Sequence, residues 1–373
     1  MSGLYIHIPF CKSKCSYCDF YSIANNSFIP NYLKMLLREI ELRKNEIDNK
    51  TIETIYFGGG TPSILRVAVV NAIIEQIIKY YKISGSAEIS FEANPEDLNK
   101  LYLTELKKSG INRLSIGLQS TDDETLKMMR RRHNVVEAIN SVYNAFETGF
   151  ENISVDFIYG IEGISYESFV NQLRKIVNLP VKHISAYHLS VEKGTLLYRR
   201  LNEGRFAIMN ETSSYDQYCK LLDITSEKGF FQYEISNFAK NGFISRHNSS
   251  YWTRKEYLGF GPSAHSFVKN VRTSNYADVT DYIKSMNKGE YSQNTDLLTR
   301  DDIINESIML GLRTVKGIDL IQFQNLFGLQ EYNSLLEKLK IINKKSYVIS
   351  NGFLKLSRNG MFVSDNIISK LFK

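Results

Sequence analysis

Strand-like and helix-like segments alternate six times over the first half of the chain, and this alternation is the strongest constraint on the fold. Short apolar runs predict strands, and the segments between them have the spacing of amphipathic helices. Repeated strand–helix units predict a parallel sheet with helices packed outside it. The predicted strands are residues 4–8, 52–57, 87–93, 113–118, 153–158 and 183–188.

Apolar residues share one face in the helices that follow the first and second strands. They are Leu33, Leu36, Leu37 and Ile40 in the first helix and Val70, Ile73, Ile74 and Ile77 in the second. Residues 165–178 form a further predicted helix before the last strand. A flat doubly wound sheet has the same alternation, so periodicity alone leaves that alternative open. We expect an α/β fold with a partial (β/α)6 TIM-like barrel, related to the closed eight-unit barrel.

The pattern changes after about residue 205. Residues 211–228 have the pattern of one helix. Residues 231–267 are rich in aromatic and polar residues and are predicted to be an elaborated loop region. We therefore predict a barrel domain over residues 1–205 and an elaboration over residues 206–296.

A small C-terminal α+β domain is predicted over residues 297–373. Asn351-Gly352 separates two strand-like runs and is a strong signal for a hairpin turn. Helices followed by a terminal hairpin resemble a winged-helix unit. The helices are predicted near residues 300–312 and 330–343, and the strands at residues 347–349 and 353–356.

Three of the four cysteines, Cys11, Cys15 and Cys18, lie within eight positions directly after the first predicted strand. Thiolates on such a short loop hold iron–sulfur clusters. Three thiolates leave one iron of a cubane cluster open to a substrate or cofactor, as at an open zinc site. A structural zinc loop is the alternative, although zinc sites use four ligands and the sequence has no second cysteine pair. Cys219 lies in a helical pattern and is expected to be a small buried residue.

The composition is that of a globular protein. Of the 373 residues 43% are hydrophobic and 23% charged, and the net charge of +6 is spread along the chain. Apart from Arg130-Arg131-Arg132 no dense basic face is indicated, so nucleic-acid binding is not expected. No apolar stretch approaches the ~20 residues of a membrane span, and the first residues lack the layout of a signal peptide. Clustered, reduced cysteines fit a reducing compartment, so we expect a cytoplasmic protein.

Polar residues lie near the ends of several predicted strands. Gly58-Gly59-Gly60-Thr61-Pro62 follows the second strand, where glycines let a ligand approach the backbone closely. Glu92, Gln119 and Asp156 stand among apolar residues on the next three strands. In a barrel such residues point toward one site at the carboxyl ends of the strands. Acid and amide groups suit ribose hydroxyls and an ammonium group, and Arg131 suits a carboxylate.

The spacing Cys-x3-Cys-x2-Cys, with an aromatic residue before the last cysteine, resembles that of the radical S-adenosylmethionine (SAM) superfamily. In that superfamily the amino and carboxylate groups of SAM chelate the open iron. Longer motifs resemble the family of oxygen-independent coproporphyrinogen III dehydrogenase, HemN, and its haem-chaperone branch, HemW. They are Tyr5–Cys11, Gly58–Ser63, Gly117–Ser120, Asp156–Gly160, Tyr233–Ala239 and Gly311–Arg313.

The resemblance implies a [4Fe-4S] cluster on Cys11, Cys15 and Cys18. It also implies that a second set of residues contacts SAM, namely Tyr5, Gly59, Gly60, Thr61, Glu92, Gln119, Arg131 and Asp156. Two positions depart from the family pattern. Arg130 stands where a glycine usually precedes the arginine, and Pro262-Ser263 replaces a glycine-rich pair.

Three features favour the HemW branch. Phe20 occupies the position of a fourth cysteine, which the dehydrogenase branch carries two residues after the third. The first motif begins at residue 5, without the long N-terminal extension of the dehydrogenase. Arg246–Trp252 resembles the His-Asn-x-x-Tyr-Trp haem motif of the HemW branch. This likeness implies that His247 is an axial iron ligand and that the two aromatic residues of the motif stack on the porphyrin.

We therefore expect a haem chaperone that binds a [4Fe-4S] cluster, SAM and haem and transfers haem to acceptor proteins, with membrane proteins among the clients considered. It would need a reducing partner such as flavodoxin or ferredoxin. The alternative is an enzyme, coproporphyrinogen III dehydrogenase, which forms protoporphyrinogen IX by radical oxidative decarboxylation in porphyrin biosynthesis. A radical SAM enzyme acting on RNA is a more distant alternative. It is disfavoured because the net positive charge is small and spread along the chain. The sequence leaves open whether the chain is an enzyme, and no residue is assigned a catalytic role.

Overall fold

The computed structural model describes residues 2–47 and 51–373. Its first half alternates strands with helices, as predicted. Within the described ranges these elements are β1 Ser2–Ile8, α1 Ile29–Leu42, β2 Ile52–Gly59, α2 Val67–Tyr80, β3 Ile83–Ala93, α3 Lys100–Lys108, β4 Arg113–Gln119, α4 Asp123–Met128, α5 Val135–Glu147, β5 Asn152–Tyr159, α6 Tyr166–Val177 and β6 His183–His188.

Strands β1 to β6 lie side by side in the order of the chain, and every pairing between neighbours is parallel. A doubly wound sheet reverses its strand order at a switch point, so the consecutive order excludes that alternative. Among the described residues β1 and β6 do not pair with each other. The unit is therefore an open, partial barrel of the predicted α/β class.

The helices cover the sheet through the apolar stripes that the sequence predicts. In α2, Val70, Ile73, Ile74 and Ile77 are all buried. In α1, Leu36 and Ile40 are buried, while Leu33 and Leu37 are partly buried against the same core. This packing keeps the helices outside the sheet and leaves the carboxyl ends of the strands uncovered.

Residues 231–267 are more regular than the predicted loop region. They contribute short strands that extend the main sheet at both edges, β8 against β6 and β9 against β1. Strands of two to four residues are too short to give a periodic signal, which explains the error. The elements are α7 Leu196–Asn202, α8 Glu211–Glu227, β7 Phe231–Gln232, β8 Asn237–Ala239, α9 Arg246–Trp252, β9 Tyr257–Phe260, β10 His265–Val268, β11 Val271–Asn275, α10 Val279–Lys288 and β12 Ser292–Leu297.

The C-terminal part has its own buried core and a three-stranded antiparallel sheet in the order β13-β15-β14. Asn351 and Gly352 both have left-handed backbone, with φ of 52° and 79°, which is the geometry of a tight hairpin turn. The order of helix, strand, two helices and hairpin is that of a winged helix, as predicted. The elements are α11 Arg300–Leu312, β13 Ile318–Asp319, α12 Leu320–Phe327, α13 Leu329–Leu339, β14 Tyr347–Ser350, β15 Phe353–Leu356, α14 Arg358–Phe362 and α15 Ser364–Leu371.

No helix in the described part of the chain is both long enough and apolar enough to cross a membrane.

Two positions that depart from the family's glycine pattern have strained backbone. Arg130 has a φ of 58° and Ser263 a φ of 62°. Side chains with a Cβ are disfavoured in this left-handed region. Arg130 and Ser263 therefore adopt a backbone conformation that is free of strain only for glycine, and this strain costs conformational free energy.

Replacing Ser263 by glycine should stabilise the protein. Relief of the left-handed strain, about 1–2 kcal/mol, exceeds the extra chain entropy of glycine, about 0.5–1 kcal/mol. We expect the free energy of unfolding to rise by about 0.5–1 kcal/mol, measured from the urea midpoint. Ser263→Ala keeps the Cβ and should give no gain. A Gly variant no more stable than the Ala variant would contradict this account.

Candidate functional site

A cavity of about 450 Å³ opens where the parallel strands end. Its volume lies within the range of small-molecule sites. Ten of the twelve predicted site residues line it. They are Cys11, Cys15, Cys18, Gly59, Gly60, Thr61, Glu92, Gln119, Arg131 and Asp156.

The loop after β1 carries the three cysteines to the cavity. The far end of this loop is held next to its start by two backbone hydrogen bonds. Cys11 donates to the carbonyl of Ile23, and Ile23 donates to the carbonyl of Pro9. All three thiols are free and half-buried. Burial raises the pKa of Cys11, and it raises the pKa of Cys18 to about 11. The thiols of Cys11 and Cys18 are therefore protonated without metal, and binding iron would displace their protons.

Neighbouring side chains contact two of these sulfurs. Thr61 Oγ1 lies 3.3 Å from Cys11 Sγ, and Arg131 Nη1 donates to Cys15 Sγ over 3.4 Å. Within residues 2–47 and 51–373, no three His, Cys, Asp or Glu side chains are grouped to hold a single metal ion. A cubane cluster distributes three thiolates over three irons, so its ligands do not converge on one atom. The fourth cysteine, Cys219, lies on α8, half-buried, and lines a different cavity.

The turn after β2 forms the floor beneath the cysteine loop. Gly60 donates its N–H to the carbonyl of Ile8, and Thr61 to that of Phe10, each over 2.8 Å. A Cβ on Gly60 would lie 2.8 Å from the Phe10 carbonyl oxygen and 3.1 Å from Cys11 Sγ. The loop and the turn are thus packed so closely that only glycine fits between them.

Two carboxyl groups occupy the wall of the cavity. Glu92 accepts a hydrogen bond from the Tyr56 hydroxyl over 2.7 Å, and Asp156 accepts one from the Ser115 hydroxyl over 3.2 Å. Both residues are half-buried and line the cavity. Burial raises the pKa of Glu92 from 4.5 to about 7, and that of Asp156 from 3.8 to about 6. A cationic ligand in the cavity would stabilise their ionised forms.

Arg131 and Gln119 line the side of the cavity formed by β4. Arg131 Nη2 donates to Asn94 Oδ1 over 2.7 Å and to the carbonyl of Gly117 over 2.8 Å. Its Nε is buried and has no partner among the described residues. Gln119 ends β4 with left-handed backbone, at φ 66°. The cavity thus offers an orphaned donor, two acids and a glycine turn, a donor set that fits SAM.

Tyr5 and His247 do not line this cavity. Tyr5 stacks on Tyr56, with ring centroids 6.1 Å apart, and its hydroxyl lies 3.1 Å from His7 Nδ1. His247 is 1% exposed. Its Nδ1 is hydrogen-bonded to Thr54 Oγ1 and its Nε2 to the Tyr251 hydroxyl, each over 2.8 Å.

The role of His247 as an axial haem ligand stays a prediction, and in this structure its ring is buried and bonded within the protein. Both ring nitrogens are used within the protein, and burial lowers its pKa to about 3. The imidazole also stacks on Tyr56 at 5.0 Å, the residue whose hydroxyl contacts Glu92. The helix that carries the motif packs against β2, and the ring of Tyr251 contacts that of Tyr257 with centroids 4.7 Å apart.

His188 also lines this cavity, although no sequence motif predicts a role for it. It is exposed, and it lines the same cavity as the cysteines. The one signal for it in the sequence is its position, since it is the last residue of β6 and strand ends form the site in such barrels.

Known proteins resemble this chain over nearly its whole length. A model of the Radical SAM superfamily matches residues 5–176, and a model of the HemN C-terminal domain matches residues 298–363. The "Heme chaperone HemW" of Bacillus subtilis is 34% identical over 97% of this chain and 98% of its own length. The protein of the same name from Lactococcus lactis is 31% identical over 99% of this chain and 97% of its own. The chain belongs to the HemW family.

The solved structure of coproporphyrinogen III oxidase (HemN) from Escherichia coli shares the fold of this HemW family member. It superposes with a TM-score of 0.86, covering 100% of this chain and 90% of the other, at 21% sequence identity. Membership of the radical SAM superfamily implies a [4Fe-4S] cluster and SAM as cofactors.

Gly60→Ala should disrupt the site, because the new Cβ meets two backbone carbonyls and Cys11 Sγ. We expect the affinity for SAM to fall at least about tenfold, equivalent to about 1.4 kcal/mol, in equilibrium binding to the reconstituted protein. Gly85→Ala is the matched control, since a Cβ there meets no atom within 4 Å. Equal affinities in the two variants would refute the close packing of this turn.

Glu92→Gln should stabilise the cofactor-free protein at alkaline pH. The folded pKa of Glu92 is raised, so the native protein keeps a proton that the unfolded chain loses between pH 4.5 and about 7. Stability from this group is therefore present at low pH and lost as the pH rises. We expect the variant to match the wild type near pH 4.5 and to exceed it at pH 8 by up to about 3 kcal/mol.

The control for this experiment is Glu105→Gln, at an exposed position on α3. Its free energy of unfolding should differ from that of the wild type by the same amount at both pH values. A Glu92→Gln difference that is independent of pH would contradict the raised pKa.

Proposed function

We propose that this protein is a haem chaperone of the radical SAM type, which binds haem and transfers it to acceptor proteins. The observation that carries the proposal is its similarity, over almost the full length, to proteins named as heme chaperones. Phe20 supports the same branch, since it stands where the dehydrogenase branch carries a fourth cysteine. The C-terminal part, which resembles a winged helix, matches the HemN C-terminal domain, so it too belongs to the wider family of HemN and HemW.

In this proposal Cys11, Cys15 and Cys18 hold a [4Fe-4S] cluster. SAM lies beside it, with the Gly59-Gly60-Thr61 turn, Glu92, Gln119, Arg131 and Asp156 around it. When bound, the cluster and SAM would supply one-electron reductive chemistry. The protein's part is to orient SAM by hydrogen bonds and to neutralise its cationic groups with the two carboxylates of the cavity wall.

Electrons would come from a reducing protein such as flavodoxin or ferredoxin. The cluster loop is accessible to such a partner, because Lys12, Ser13 and Lys14 between the cysteines are exposed. A cluster with three half-buried thiolates requires reducing conditions. This supports the expectation of a cytoplasmic protein.

The alternative function is that of coproporphyrinogen III dehydrogenase. This chain shares its fold with HemN, which is why the dehydrogenase is the alternative. A likeness at 21% sequence identity, however, supports a common fold and not a common activity. The absence of the fourth cysteine at Phe20 argues against it.

A single anaerobic assay on the reconstituted protein separates the two functions. We expect about one haem retained per chain, seen as a Soret band, and no protoporphyrinogen from coproporphyrinogen III with SAM and reductant present. A HemN dehydrogenase assayed in parallel is the positive control for conversion. Conversion by this protein at a rate comparable to that control would overturn the proposal in favour of the enzyme.

A further inference from the structure

Ser16, in the middle of the cysteine loop, joins this loop to two neighbouring segments. Its backbone N–H donates to the carbonyl of Met129 over 3.0 Å, and its hydroxyl donates to that of Met128 over 3.1 Å. Its own carbonyl accepts a hydrogen bond from the N–H of Leu197 over 2.8 Å. Ser16 is 1% exposed, so these bonds are shielded from water. The end of α4 and the start of α7 are thereby held against the loop that carries the cysteines.

Four cationic side chains lie within three residues of the groups that make these contacts. One is on the cysteine loop, one follows the end of α4, and two are on α7. Three of them are exposed, and the fourth is half-buried and donates to the carbonyl of Met128 over 3.2 Å. Together they form a basic rim, which consists of Lys14, Arg130, Arg199 and the half-buried Arg200.

The charges of the basic rim are not neutralised within the protein. In the part of the chain that the structure describes, none of its four residues takes part in an ion pair, whereas nearby cations of the same segments do. Lys127 on α4 pairs with Glu124 over 2.7 Å, and Arg205 beyond α7 pairs with Glu203. Unpaired surface charges of one sign produce a potential that extends into the solvent and attracts a partner of the opposite sign.

Arg130 holds its place in the rim at a conformational cost. Its φ of 58° is in the left-handed region, where a glycine would be free of strain. Strain of this kind is found at functional sites, where the role of the side chain offsets the cost. Within residues 2–47 and 51–373 the guanidinium of Arg130 forms no hydrogen bond or ion pair that would offset it. The side chain is therefore available to a partner outside the chain.

The position of the basic rim indicates what that partner does. The rim surrounds Ser16, which lies between Cys15 and Cys18, so a protein bound there would cover the cluster site. Proteins that exchange electrons form small, transient interfaces, and complementary charge aligns them. Phe20, 65% exposed and two residues after Cys18, adds an aromatic surface on which the edge of a flavin could rest.

Exposed acids limit the extent of this basic surface. Asp19 and Glu192 both lie at the opening of the neighbouring cavity. The rim is thus a small basic patch and not the dense basic face that binds nucleic acid. A patch of this size fits a small acidic protein better than it fits a long polyanion.

We propose that the basic rim is the docking surface for an acidic electron-donor protein, a flavodoxin, which delivers one electron to the cluster. The reduced flavin would lose this electron and the oxidised cluster would gain it, with no proton transferred and no bond formed or broken. The inference deepens the electron supply of the proposed function, and it rests on the cluster proposed for Cys11, Cys15 and Cys18.

The first test is stopped-flow reduction of the full-length, cluster-reconstituted protein by flavodoxin hydroquinone. Arg199→Glu reverses an exposed charge of the rim and should lower the second-order rate constant about tenfold at low salt, because it weakens electrostatic steering. Raising the ionic strength from about 0.01 M to about 1 M should bring the wild type close to the variant, since the Debye length falls from about 30 Å to about 3 Å.

Lys108→Glu is the matched control for charge. Lys108 is exposed at the end of α3, and this helix runs back to the amino ends of the strands, at the opposite end of the barrel from the cysteines. The variant has the same net charge as Arg199→Glu and should be reduced at the wild-type rate.

Arg130→Gly separates the charge from the fold. It relieves the left-handed strain, so its urea midpoint should rise above that of the wild type. It should nevertheless weaken the binding of oxidised flavodoxin about threefold to fivefold at low salt, measured by titration calorimetry. Ser263→Gly relieves similar strain at a position outside the rim and should leave this affinity unchanged. A residue kept for structure alone would not give a protein that is more stable and binds less tightly.

A small reductant tests whether the cluster itself is intact. Photoreduced deazaflavin needs no docking surface, so it should reduce the cluster of every variant at the wild-type rate. Iron content and the response of the resonance spectrum to SAM should also equal those of the wild type.

The outcomes separate this inference from the proposed function. If Arg199→Glu and Arg130→Gly accept electrons from flavodoxin as fast as the wild type at low salt, the docking surface is wrong while the proposed function stands. The same follows if deazaflavin is slowed equally, or if the variants lose binding to anionic phospholipid vesicles or RNA in place of flavodoxin. If the wild type assembles no cluster, the proposed cofactor site fails, and this inference with it.

Discussion

The consecutive parallel order of β1 to β6 is the constraint on which the rest of the structure depends. Parallel strands in sequence order place all their carboxyl ends at one edge, and the connecting helices must then pack outside. The cysteine loop and the glycine turn follow β1 and β2, and Glu92, Gln119 and Asp156 lie on the next three strands. The strand order alone therefore brings them together. Residues far apart in sequence thus line one cavity without any local motif that joins them.

The cavity at the carboxyl ends of the strands raises the pKa values of two acidic residues, Glu92 and Asp156. Two carboxyl groups lie inside the protein beside each other, and their pKa values are raised because burial disfavours their charge. This arrangement lowers the stability of the empty protein at neutral pH and above. Raised pKa values of this kind are typical of functional sites, where a cationic ligand would offset the penalty. Tyr56 links this wall to the base of the barrel, since its hydroxyl contacts Glu92 and its ring stacks on His247.

Much of the fold and of the candidate site could be predicted from two things. One is the local pattern of apolar residues, and the other is the rule that functional residues gather at the carboxyl ends of parallel strands. The parallel strands have clear apolar runs. The rule that strand ends form the site then predicts that Glu92 and Asp156 lie near each other, and both line the cavity. The short strands within residues 231–267 could not be predicted, since their pairing depends on partners such as β1, more than two hundred residues away. The burial of His247 could not be predicted for the same reason. Its motif is local, but its burial depends on how α9 packs beneath β2.

The central claim is that one cavity holds both a three-thiolate cluster and SAM, and electron paramagnetic resonance of the reduced, reconstituted protein tests it most directly. The account predicts a [4Fe-4S] signal whose shape changes when SAM is added, because SAM takes the open iron. Cys15→Ala should abolish the signal, and Cys219→Ala should preserve both the signal and its response. A signal that SAM leaves unchanged, or one that survives the loss of Cys15, would contradict the account.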